Sequence, residues 1–167
     1  IKEVENKNLI KTGSTSSTSY YLAGGEYVEF SLKLTPDLKE IDVWKKYVKP
    51  ILIKYPDNIY KICNYGFTEI FNNAIDHSEG MVIKTTIEVK NKNIKIIIID
   101  DGIGIFQKIK KALNLETARE AILHLSKGKF TTDPTNHTGQ GIFFTSRFCD
   151  KFSLFSGEMY YTFANEE

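Results

Sequence analysis

YGFTEIFNNAIDHS, residues 65–78, sets an acid, two amides and an imidazole into a segment that otherwise reads as helix core. Glu69, Asn73 and His77 recur at every fourth position. At about 3.6 residues per turn, that spacing stacks the three side chains in one stripe, with Phe67, Ile70, Phe71, Ala74 and Ile75 supplying apolar surface around it. The pattern predicts a helix with one working face. Pro56-Asp57 starts it, Ser78-Glu79-Gly80 ends it, and Ile59, Ile62, Cys63 and Gly66 extend its apolar side upstream.

Downstream, MVIKTTIEVK (81–90) and NIKIIIID (93–100) are β-rich runs separated by Asn91-Lys92, which predicts an antiparallel hairpin. The second run is apolar enough to suggest a central strand. Helical patterns follow from Ile105 to Leu113 and from Glu116 to Leu125. A polar stretch comes next, then a helix from Ile142 to Cys149 and a closing hairpin formed by FSLFSG and MYYTFA. Upstream, EYVEFSLKL (26–34) alternates like a half-buried strand, expected at a sheet edge. A helical pattern then runs through Ile41, Trp44, Tyr47, Val48, Ile51 and Leu52, with a kink or break expected at Pro50. Residues 1–25, a charged opening followed by GSTSSTS, read as a peripheral, flexible segment, leaving residues 26–167 as the main domain.

The 167 residues are enough for one domain with a sizeable core, and 41% hydrophobic with 13% aromatic residues fit a soluble globular protein. Twenty-two basic and 21 acidic residues nearly cancel, so no overall field favours nucleic acid or an anionic membrane. Direct nucleic-acid binding and membrane association are not expected. Cys63 and Cys149 both fall in apolar helical patterns, which suits buried thiols in a reducing compartment; the expected location is the cytoplasm. The sequence opens on Ile1 and stops on Asn165-Glu166-Glu167, and is expected to be a piece of a longer protein.

Two glycine-rich turns complete the pattern. Asp100-Asp101-Gly102-Ile103-Gly104 directly follows the apolar strand, where a free backbone suits close approach to a ligand, though an ordinary Asp-Gly turn has the same composition. Thr138-Gly139-Gln140-Gly141-Ile142 opens a helix, and glycines there leave backbone N–H groups free to meet phosphate oxygens or simply to be capped. Neither G-x-G-x-x-G nor G-x-x-x-x-G-K-[ST] occurs, which disfavours a Rossmann or Walker-type site.

In this order and spacing, the three motifs resemble the N, G1 and G2 boxes of the GHKL superfamily of gyrase-type ATPases, heat-shock chaperones, histidine kinases and anti-sigma-factor kinases. The resemblance spans about residues 65 to 155. It implies a two-layer α/β sandwich with a mixed sheet, helices on one face and an ATP lid, binding ATP with Mg²⁺. Asp100 then matches the residue that accepts a hydrogen bond from the adenine amine, and Asn73 matches the Mg²⁺ ligand. Gly102, Gly104, Thr138, Gly139 and Gly141 line up with the nucleotide turns. The family often has a further glycine where this chain has His137, which implies a stiffer lid hinge. By position the lid runs from Leu125 to Asn136, where Lys127, Lys129 and Thr131 or Thr132 either reach phosphates or are solvated. His77 either touches phosphate or metal-bound water, or caps its helix.

Glu69 discriminates within the superfamily. Histidine kinases usually carry an amide there, and often a basic residue where this chain has Asp76. A carboxylate, able to take a proton from water or a serine hydroxyl, is similar to the ATPases and the anti-sigma serine kinases. The resemblance therefore implies an ATP-dependent regulatory domain most like an anti-sigma-factor serine/threonine kinase, with Glu69 as base, a protein partner or substrate, and a homodimer as one possible assembly. The alternatives are a GHKL ATPase driving a conformational switch, a histidine-kinase catalytic domain, or a non-catalytic nucleotide sensor.

Overall fold

In the computed structural model, residues 9–12, 19–22, 26–127 and 140–165 are described. The chain is a mixed α/β protein, as expected. It divides into two compact units that alternate along the sequence: residues up to Lys54 with Gly80–Asp101, and Tyr55–Glu79 with Gly102 onward. Every strand pairing among the described residues is antiparallel.

The first unit is built on a five-stranded sheet in the order β1 (Leu9–Thr12), β2 (Ser19–Leu22), β3 (Glu26–Lys33), β4 (Val82–Lys90), β5 (Asn93–Asp100). Thus β1 and β2 lie within the segment read as peripheral; the link over residues 13–18 lies outside the described residues, as do residues 1–8 and 23–25. The β4–β5 hairpin forms where expected: Lys90 pairs with Asn93, and Asn91 and Lys92 both take positive φ (51° and 65°), the geometry of a two-residue turn that matches strand twist.

Two strand positions differ from expectation. β3 lies between β2 and β4, not at an edge. Its alternation reflects one covered and one open sheet face, which a central antiparallel strand shows as readily as an edge strand. β5 is the outermost strand of this sheet rather than a central one, and its Ile99 is 57% exposed. An apolar run does not by itself require both faces to be covered.

On the covered face Val28 and Phe30 of β3 meet Ile83, Thr85, Ile87 and Val89 of β4, all buried. Asp100 pairs with Ile83 and so belongs to this face, at its exposed end. The open face carries a polar cluster in which Glu29 takes Tyr27 Oη at 2.9 Å and Lys84 Nζ at 3.1 Å. A broken helix covers the other side: α1 (Glu40–Val43), a π turn (Trp44–Val48) and α2 (Lys49–Leu52). Pro50 explains the break. It has no N–H to return to residue 46, and the ladder widens just before it, Lys49 N–H reaching back to the Trp44 carbonyl. Trp44, Val48 and Leu52 are nonetheless buried, and Tyr47 stacks on Phe30 at 4.2 Å.

The second unit is organised by α3 (Asp57–His77), which runs the full length expected. Phe67, Phe71 and Ala74 are its buried residues, with the two rings stacked at 5.1 Å. α4 (Ile105–Leu113), α5 (Ala118–Ser126), α6 (Gly141–Phe148) and the hairpin β6 (Lys151–Ser156) and β7 (Met159–Ala164) complete it. α4 ends where Asn114 turns left-handed (φ 51°), and α5 begins with Glu120 accepting from the Thr117 N–H and hydroxyl at 3.2 and 2.8 Å. Phe106, Ile109, Ala121, Leu125 and Ile142 form the core of these helices, and the inner face of the hairpin, Phe152, Leu154, Met159 and Tyr161, packs against it. No described helix is long and apolar enough to cross a membrane.

Candidate functional site

The stripe predicted on α3 forms. Asn73 Nδ2 donates to the Glu69 carbonyl one turn earlier at 2.8 Å, which leaves Oδ1 as the amide atom available to a cation. The Glu69 carboxylate lies against the start of α6. A Cβ added to Gly141 would collide with Glu69 Oε2 and stand 3.0 Å from Cδ and 3.3 Å from Cβ. Glycine at 141 thus lets the carboxylate reach a helix N-terminus, where backbone N–H groups and the helix dipole favour negative charge. One turn before Glu69, burial and then the Glu69 charge push the Tyr65 phenol up. α3 and α6 run close here: a Cβ on Gly66 would be 3.1 Å from Thr145 Cγ2.

At the other end of α3, the helix C-terminus is tied to the turn that follows Asp101. Lys108 Nζ donates to the His77 carbonyl at 2.9 Å, with Glu79 Oε1 at 3.8 Å. Ile103 N–H donates to the Ser78 carbonyl at 2.9 Å. Gly102 is packed so tightly there that a Cβ would collide with Ser78 O and lie 2.6 Å from both Ser78 C and Cβ. Gly104 has φ 81°, a region that favours glycine, and a Cβ on it would collide with Ser156 Oγ. The space that these two glycines leave is therefore taken up by the protein's own serines.

Asp100 and Asp101 end the first unit and behave differently. Asp100 is exposed at the end of β5. Asp101 is a structural acceptor: Met81 N–H and Val82 N–H reach its Oδ1 at 2.7 and 2.9 Å, and these hydrogen bonds, Val82 first, hold its carboxyl below the usual value.

The structure thus brings Glu69, Asn73, His77, Gly102, Gly104 and Gly141 into one unit, with Glu69 and Gly141 in contact. Lys127 is exposed in the turn after α5, while Leu125, expected to open the lid, is a buried core residue of α5. Residues 128–139, including Lys129, Thr131, Thr132, Thr138 and Gly139, lie outside the described residues. Sequence reasoning did not single out Ser156, Lys108 or the backbone role of Ser78. Their partners are 50, 31 and 25 positions away, and no local spacing marks them.

Among the described residues no group of three or more His, Cys, Asp or Glu side chains is arranged to hold a metal ion. A single amide oxygen from Asn73 fits Mg²⁺ that draws most of its shell from phosphate oxygens and water.

No curated protein and no solved structure matches the chain. Residues 65–166, from the middle of α3 past the last strand, match the family described as histidine kinase-, DNA gyrase B-, and HSP90-like ATPases. Because that match takes in more than half of the chain, including the N-box helix and both glycine turns, the chain belongs to this ATPase family, the GHKL superfamily.

Proposed function

We propose that the chain is the Mg-ATP-binding domain of a cytoplasmic regulatory protein, and that it acts as a serine/threonine kinase of anti-sigma-factor type on a protein partner. The observation that carries this reading is the Glu69 carboxylate against Gly141 at the start of α6. It sets a potential base beside backbone N–H groups suited to phosphate oxygens, which favours phosphoryl chemistry over nucleotide sensing.

Asp100 would select adenine, and Asn73 Oδ1 would hold Mg²⁺. Gly102, Gly104, Thr138, Gly139 and Gly141 would shape the turns around the nucleotide, and Lys127, Lys129 and His77 would contact phosphate. Bound Mg-ATP supplies the transferable phosphoryl group. The chain's own contribution is to orient a serine or threonine hydroxyl and to accept its proton on Glu69.

Calorimetry with ATP and GTP, then turnover assays, test this. ATP should bind in preference to GTP, and Asp100→Ala should weaken it about ten- to hundredfold, the loss of one charge-assisted hydrogen bond. Glu69→Gln should lower turnover about a hundred- to ten-thousandfold, the range expected on losing a general base. Phosphate appearing on a partner supports the kinase, free phosphate the ATPase, and neither the sensor. No heat with ATP at millimolar concentration would sink all three.

A further inference from the structure

The turn after Asp101 is held from two directions by serines. One is Ser78, whose carbonyl backs Gly102 and accepts from Ile103 N–H at 2.9 Å. The other is Ser156, at the end of β6. Its hydroxyl fills the space beside Gly104, where a Cβ would collide with Oγ and stand 3.5 Å from Ser156 Cβ. It also accepts from Phe106 N–H at 3.5 Å.

Gly104 is the N-cap residue of α4 and has no side chain with which to cap. A helix start leaves its first N–H groups without intrahelical partners, and a cap oxygen normally comes from the N-cap residue itself. Here it comes from Ser156, 50 positions after Phe106, from whose N–H it accepts. The arrangement lets the cap position take the positive φ (81°) that re-aims the chain from the turn into the helix and still supplies the oxygen.

We propose that Ser156 is a positioning residue for the nucleotide turn: its hydroxyl fixes Gly104 and the first turn of α4 before nucleotide arrives. This rests on the reading of the Asp100–Gly104 turn as a nucleotide-binding element. The hairpin does not need the hydroxyl to stay in place, because Phe152, Leu154, Met159 and Tyr161 already pack against the core that contains Phe106 and Ile109. Removing the hydroxyl should leave the core standing and the turn loose, so that binding must order the turn.

The test compares Ser156→Ala and Ser156→Thr with the unaltered protein by ATP calorimetry, thermal melting and amide exchange. Ser156→Ala should weaken ATP about three- to tenfold, the order of one neutral hydrogen bond. Ser156→Thr keeps a hydroxyl on a strand residue and should restore affinity to within about twofold. In Ser156→Ala, exchange at Phe106 should accelerate while Leu154 and Tyr161 keep their protection. Equal ATP affinity for Ser156→Ala and the unaltered protein would overturn the proposal. So would equal weakening in both variants, which points to bulk rather than the hydroxyl, or uniform acceleration across the hairpin. If the unaltered protein binds no ATP, the nucleotide reading fails, and exchange at Phe106 still decides whether the hydroxyl holds the turn.

Discussion

Gly102→Ala isolates the tightest approach in the turn after Asp101. Gly102 has no left-handed φ, so alanine brings no conformational penalty there, and the whole effect comes from space. The added methyl would collide with Ser78 O and fall within 2.6 Å of Ser78 C and Cβ. The obstacle is backbone at a residue only 6% exposed, and no rotamer change can clear it. The end of α3 and the turn must move apart. Forcing a methyl into a packed site costs about 1 to 3 kcal/mol. Separation also breaks the Ile103 N–H to Ser78 hydrogen bond, and a buried group left without its partner costs about 1 to 3 kcal/mol more. The expected loss is therefore about 2 to 6 kcal/mol, a large part of an ordinary domain's stability. Urea unfolding followed by far-UV circular dichroism measures it. Gly157→Ala is the matched comparison: Gly157 has φ 59° and nothing within 4 Å of an added Cβ, so its cost is conformational only, about 1 to 2 kcal/mol. If Gly102→Ala proves no more destabilising than Gly157→Ala, the packing argument for the turn is wrong.

Asp101 and Cys63 make opposite predictions in pH. The Asp101 carboxyl is lowered by the Val82 and Met81 N–H groups, so its stabilisation is present above the unfolded value of 3.8 and is lost as pH falls through the lower folded value. The urea midpoint of Asp101→Asn should lie below that of the unaltered protein near neutrality and converge with it in strong acid; a constant gap would remove Asp101 from the acid response. Burial, and then the nearby Cys149, push the Cys63 thiol up to about 11 from 9.0. The folded state keeps its proton where the unfolded state loses it, so stability should decline between those values, and less steeply in Cys63→Ala. Native Cys63 should also react slowly with iodoacetamide near pH 8 and quickly once unfolded, because the thiolate is the nucleophile; equal rates would mean that it is not buried.

Local chemistry made much of this fold legible. Asn91-Lys92 between two β-rich runs gave the β4–β5 hairpin in register, and Pro56-Asp57 with the stripe of Glu69, Asn73 and His77 gave α3. The π turn was legible only as a break at Pro50, because a proline marks where a ladder fails and not how it widens. The position of β3 was misread because alternation reports a covered face and is silent about neighbours. Spacing and resemblance mark Glu69, Asn73 and the glycines as candidates. The sequence suggested that glycines at 102 and 104 make room for a ligand, whereas Ser78 and Ser156 occupy the space beside them. Such partners lie too far along the chain to leave a pattern.

The reach of Ser156 back to the start of α4 has a consequence for synthesis. A chain emerging from the ribosome makes α3, the β4–β5 hairpin and the Asp100–Gly104 turn before β6, and the hairpin register and the Ile103 N–H to Ser78 bond need nothing translated later. The cap for α4 arrives only when β6 has been translated, 50 residues after the amide it serves. Domains tend to fold as they emerge, at about 5 to 20 residues per second. For about 3 to 10 seconds the turn would therefore exist without its second tie, while Phe106 and Ile109 wait for the hairpin that packs against them. Chaperone engagement during that interval, and its shortening by synonymous codons that speed translation of residues 106–156, are where this late closure should become visible in a cell.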